Sequence, residues 1–143
     1  MVTRADVVRE ARSWKETPFH HQGRLKGVGA DCAGLILGVA RALGLPSADL
    51  EAYGRIPNGR HLRSHCNSAM DPISLNEIRP GDVLLLRWER FPQHLAFIVD
   101  GAGLNGLALV HSYEQPGECV EHGLTQEWHD RTVQAYRLRG LED

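Results

Sequence analysis

Apolar positions near the N-terminus recur at helical spacing. Val7, Val8, Ala11 and Trp14 form one stripe behind Thr3, which suits a helix cap, and Thr17-Pro18 closes the segment. A Gly-punctuated loop from Gly23 to Gly29 then leads to Asp31. The strongest pattern follows it. Cys32, Leu35, Ile36, Val39 and Leu43 fall on one helical face, with Asp31 as N-cap and Gly44 and Pro46 as the stop, so a core helix is expected over 32–43. Gly34 and Gly38, four apart, would let this helix approach a sheet closely. From Tyr53 to Met70 the pattern weakens. Pro57-Asn58-Gly59 marks a turn, and Leu62, Cys66 and Ala69 predict a short amphipathic helix.

Beyond Met70 the pattern becomes that of strands. Arg79-Pro80-Gly81-Asp82 suits a type II turn. Strands are expected at 83–88, 94–99, 107–113, 119–122 and 132–138, separated by turn signals at Phe91-Pro92, Gly101 to Gly106 and Pro116-Gly117. Helices first and short antiparallel strands afterwards predict an α+β fold, in one domain over residues 1–143.

Composition narrows the possibilities. Hydrophobic residues make up 42% and charged residues 24%, which excludes a chain that is disordered throughout. Net charge is −2 with no basic stripe, so nothing favours nucleic acid as a partner. Charges interrupt the N-terminus at Arg4 and Asp6, unlike a secretory signal, and no run approaches the roughly 20 apolar residues of a membrane span. Synthesis in the cytoplasm without a signal peptide and without membrane insertion is expected. The 3 cysteines, Cys32, Cys66 and Cys119, are too few for a disulfide framework. A single Cys66–Cys119 bridge remains open, with free thiols preferred.

Candidate chemistry starts at Cys32, on the first turn of the core helix. Unpaired backbone N–H groups and the helix dipole there favour a thiolate, and such positions lower a free-thiol pKa of about 8.5 to roughly 3.5–7.5. The same N–H groups suit an oxyanion. A thiol nucleophile needs a base. His94 and His111 lie inside predicted strands, where an imidazole is unexpected. If Asp100 pairs with Leu107 in an antiparallel hairpin, His94 faces Tyr113 and His111 faces Ala96. Any register whose paired numbers sum to an odd value puts both imidazoles on one face. His94 would then be the base and His111 its orienter.

The other histidines carry weaker signals. His61 and His65 are four apart beside Cys66, a spacing compatible with a metal, but Leu62 stands where a metalloprotease motif has Glu, and no metal is expected. His20 and His21 lie in a loop that could reach Cys32, and His122 and His129 are expected at the surface. Trp14, Trp88 and Trp128 read as core or groove wall, and Asp82 as a turn residue.

Asp31-Cys32-Ala33-Gly34-Leu35, then His94-Leu95-Ala96-Phe97-Ile98-Val99, then His111 together resemble the NlpC family of bacterial cell-wall cysteine peptidases. The resemblance is strongest to its branch in phage tails and gene transfer agents, through Thr17-Pro18-Phe19, His21-Gln22, Lys26-Gly27-Val28-Gly29, Tyr53-Gly54-Arg55-Ile56-Pro57 and Arg79-Pro80-Gly81-Asp82-Val83-Leu84. It implies a papain-like fold with Cys32, His94 and His111 as triad, and substrate or oxyanion support from Phe19, His21, Gln22 and Asp31. It also implies hydrolysis of peptidoglycan stem peptides between D-glutamate and diaminopimelate, without metal or organic cofactor. Phage-like tail proteins would then be partners, and a tail particle the route to the wall. Two positions depart from the family: Phe19 stands where many relatives have Tyr, and Ala33 where many have Ser. A non-catalytic tail-tip or wall-binding module, a thiol amidase or acyltransferase on another substrate, and a metal-dependent hydrolase are the competing readings.

Overall fold

A computed structural model describes residues 1–49 and 60–142. The short strand β1 (Val2–Thr3) enters α1 (Arg4–Arg12) through a capping box: Thr3 Oγ1 accepts the Asp6 N–H at 3.1 Å, and the Asp6 carboxylate accepts the Thr3 N–H at 2.9 Å. Trp14 lies past the end of α1, yet it is only 3% exposed. After the hairpin of β2 (Arg24–Leu25) and β3 (Gly29–Ala30) comes α2 (Cys32–Ala42), which buries Leu35, Ile36 and Val39 as the spacing predicted. Gly44 follows with φ +71°, the left-handed position where a helix stop favours glycine.

The two α2 glycines serve a different neighbour from the one expected. A Cβ on Gly38 would lie 2.2 Å from the Trp14 ring, and one on Gly34 would lie 2.0 Å from the Gly23 carbonyl oxygen. They admit an indole and a loop backbone, not the sheet. Cys66 and Leu62 are buried on α3 (Arg60–Ala69), the amphipathic helix anticipated there. The Pro57-Asn58-Gly59 turn and the Tyr53–Pro57 motif lie outside the described residues.

The second half builds one antiparallel sheet. Its strands are β4 (Asp71–Ile73), β5 (Val83–Arg87), β6 (Pro92–Asp100), β7 (Leu107–Ser112), β8 (Cys119–Gly123) and β9 (Thr132–Arg137), in the order β4-β9-β5-β6-β7-β8. Helix α4 (Gln126–Asp130) precedes β9, and β10 (Leu141–Glu142) pairs with β1. Pro92 opens β6 at a bulge opposite Arg87 instead of marking the turn, a place where its missing N–H costs no ladder bond. Strand β4, only three residues long, and α4 had not been anticipated; α4 is announced by Thr125, whose hydroxyl accepts the Trp128 N–H.

Both sheet faces are covered. Val83, Leu85, Leu95, Phe97, Val99 and Val110 share one apolar cluster with α1 and α2. Leu84, Leu86, Ala96, Ile98 and Leu109 form a second cluster with Leu124 and Trp128. At the head of β5, Asp82 N–H donates to the Arg79 carbonyl and Gly81 has φ +100°, as the type II turn requires. The fully buried Asp82 carboxylate takes Arg4 at 3.0 Å and Arg137 at 3.0 Å, an ion triad that ties the helical half to the sheet. Among the described residues no helix is long and apolar enough to cross a membrane.

Candidate active site

The Asp31 side chain starts α2 by accepting the Gly34 N–H at 2.9 Å. Its carboxylate also takes the Gln22 N–H at 2.8 Å and Arg24 at 3.0 Å, which fixes the loop 22–24 against the helix start. Gln22 holds a positive φ of 61°, an uncommon state for a residue with a side chain. Phe19 bridges to Ala30 just ahead of the cap, and the exposed His20 directs its ring to the His21 carbonyl at 3.0 Å.

Cys32 is half-buried at the start of α2, and the backbone N–H groups of Leu95 and Ala33 favour the charged form of its sulfur. Leu95 follows His94 directly on β6. The pairing of β6 with β7 runs from Asp100–Leu107 to Phe97–Val110 and ends there. Leu95, whose N–H acts on the sulfur, lies where these two strands have parted. The β7 strand is also tied to the loop before Cys32, because Ser112 Oγ donates to the Ala30 carbonyl at 2.7 Å.

Register brings the histidines together. Asp100 pairs with Leu107, the alignment that puts both imidazoles on one face, and His94 Nε2 lies 2.7 Å from His111 Nδ1. A third ring joins them: His111 Nε2 is 2.8 Å from His122 Nε2. His122 is thus not the free surface residue expected; it is half-buried, and it sits on the same face because His111 pairs with Val120. Alternation along 119–122 gives that face only once the β7–β8 register is fixed. An aromatic wall surrounds the rings. Trp88 stacks on His94 at 4.7 Å, Tyr113 lies 4.6 Å from His111, and Trp128 meets His111 edge-on at 5.0 Å.

Burial decides the protonation states. Burial pushes the Cys32 thiol up to about 12, with the Asp31 charge adding to it. The Leu95 and Ala33 N–H groups and Arg24 pull the other way and do not prevail. The helix start therefore does not give the lowered thiol pKa expected from its position, because desolvation outweighs the N–H groups and Arg24. His94 is pulled down to about 3 by burial and then by the His122 charge, and His111 falls well below the usual range for the same reasons. The resting pair is a neutral thiol and a neutral imidazole.

All three cysteines are free, Cys66 and Cys119 included. His61 and His65 sit on α3, and among the described residues no group of three or more His, Cys, Asp or Glu is placed to hold a metal ion.

The same arrangement of helices and sheet recurs in solved structures. The NlpC/p60 domain of the peptidoglycan hydrolase SagA superposes with a TM-score of 0.64 at 21% identity, over 94% of this chain and 98% of that one. The fold is that of the NlpC/p60 domains. It is the papain-like α+β class expected. An NlpC/P60 family protein from Bacillus cereus gives 0.67 at 17% identity over 94% of this chain and 40% of its own, so the chain spans about two-fifths of that protein. RipD from Mycobacterium tuberculosis, a non-catalytic NlpC/p60 domain protein adapted to peptidoglycan binding, gives 0.57 at 17% identity over 96% and 97%. The sequence matches no family model and no curated protein.

Proposed function

We propose that this protein is a cysteine peptidase that cuts peptidoglycan stem peptides, of the D-glutamyl-diaminopimelate type, and opens the wall locally for a phage-like tail. The observation that carries the hydrolase reading is the 2.7 Å contact of His94 with His111, next to Leu95, whose backbone N–H favours the Cys32 thiolate. Because thiol and imidazole both rest neutral, the base acts during attack. His94 takes the thiol proton as the sulfur bonds to the amide carbon, and the Cys32 N–H supports the oxyanion. On collapse the carbon–nitrogen bond breaks and His94 gives its proton to the leaving amine. Water then attacks the thioester with His94 again as base, which restores the thiol. His111 holds the His94 ring, and His21 or Gln22 substitutes for the tyrosine hydroxyl absent at Phe19. The tail-branch motifs support delivery in a phage-like particle.

Digestion of purified sacculi, followed by mass spectrometry of the fragments, tests the reading. Wild type should release peptides ending in D-glutamate, and Cys32→Ala should release none while keeping its thermal melt. Undiminished release by that variant would end the assignment.

The high thiol pKa and the likeness to RipD favour a second reading, a wall-binding module without turnover. It predicts that wild type and Cys32→Ala sediment equally with sacculi and that neither cleaves them.

A further inference from the structure

The hydrogen-bond chain does not stop at the third ring. His122 Nδ1 lies 3.0 Å from the Gly123 carbonyl oxygen. A carbonyl only accepts, so His122 Nδ1 carries a proton. In neutral His122 the Nε2 is then a bare lone pair, and the 2.8 Å contact requires His111 Nε2–H to donate to it. His111, held neutral by burial, is left with a bare Nδ1, so the 2.7 Å contact requires His94 Nε2–H to donate in turn. One carbonyl thereby fixes three tautomers in series, and the end of the series is a lone pair on His94 Nδ1.

We propose that His122, anchored on the Gly123 carbonyl, is a positioning residue that sets the His94 tautomer through His111. The proposal rests on the hydrolase reading for its consequence, since that lone pair is the base. Fold geometry keeps the chain in line. Leu109 pairs with His122 and His111 with Val120, which sets the two rings diagonally on one face of the β7–β8 ladder. Trp128 lies 5.4 Å from His122 as well as against His111, so the link between the rings is sheltered from competing water.

Side chains of different hydrogen-bond character at position 122 test this. In His122→Gln the amide N–H₂ can bond Gly123 while its oxygen accepts from His111, so turnover should stay within about tenfold of wild type. His122→Lys offers only donors. His111 must then accept on Nε2 and donate from Nδ1, which puts the His94 proton on Nδ1 and blocks the base. A wrong tautomer costs about 10⁴-fold in a serine-protease triad, and here, two rings away, roughly 10²-fold or more in kcat is expected.

The direct readout is ¹⁵N NMR of the ring nitrogens at pH 8, above the ordinary histidine range. Wild type and His122→Gln should show His94 protonated at Nε2, and His122→Lys should show it protonated at Nδ1. Nδ1–H on His94 in wild type, or an unchanged His94 tautomer and kcat in His122→Lys, would overturn the proposal. If the lysine variant does not fold, the wild-type tautomers of all three rings still decide. Tautomers as stated in a protein that releases no peptides from sacculi would sink the hydrolase reading and leave the relay standing.

Discussion

His94 Nε2 and His111 Nδ1 are 2.7 Å apart because residues seventeen positions apart in sequence meet across one hairpin of fixed register. The contact uses both rings' mutual nitrogens and leaves His94 one nitrogen for other chemistry. His111→Ala would strand the buried His94 N–H, at a cost of about 1–3 kcal/mol in stability. It should lower kcat on wall fragments by up to about 10⁴-fold, the loss found when a serine-protease triad has its orienting carboxylate replaced. Parallel thermal melts and initial rates check both effects, and wild-type turnover by a folded variant would remove His111 from the site.

The neutral thiol sets the reactivity of Cys32. Alkylation by iodoacetamide should be slow at pH 7 and rise steeply toward the thiol pKa of about 12. Rates followed by mass spectrometry from pH 6 to 11 test this, and a plateau below pH 7 would show a thiolate instead.

Asp31 opposes that thiolate by its charge while capping α2. Asp31→Asn keeps a capping oxygen and removes the charge. Its alkylation profile should move to lower pH, and its melting temperature should fall somewhat, because the new amide N–H₂ faces the Gln22 N–H that the carboxylate accepts. A profile unmoved or moved upward would contradict the electrostatic assignment.

Stability should be flat in the middle of the pH range and fall on both sides. His94 and His111 bind protons less readily folded than unfolded, so stability is lost as pH falls from about 6.5 toward 3. Each contributes a slope of at most about 1.4 kcal/mol per pH unit. Cys32, Cys66 and Cys119 are all raised to about 12 from 9.0, so their share is complete below pH 9 and is lost as pH rises beyond it. Urea midpoints measured from pH 4 to 11 check the two flanks.

Gly38→Ala should destabilise the fold by about 1–3 kcal/mol, since the added methyl meets the Trp14 ring at 2.2 Å. A fall in the urea midpoint with an unchanged Cys32 alkylation profile is expected. An unchanged midpoint would mean that Trp14 repacks freely.

Much of this was legible in advance. The α2 stripe, its Asp31 cap and the alternation in β6 and β7 are local patterns, and they placed Cys32, His94 and His111 correctly on their elements. The thiol pKa was not legible, because it depends on how far the packed fold removes water from the sulfur and on the Asp31 charge beside it. His122 was missed for a related reason: its role appears only when β8 is aligned beside β7, a pairing across Pro116-Gly117. The neighbours of Gly34 and Gly38 likewise belong to segments far from α2, the Gly23 loop and Trp14.

The hydroxyl of Ser112 reaches Ala30 across 82 positions of chain. Its consequence is temporal. The turn ahead of Cys32 and the strand that carries His111 are clasped by a contact of long sequence range, which forms only after the entropy of closing a long loop has been met. If Cys32 acts as proposed, activity regained by a refolding chain would report that this clasp has closed.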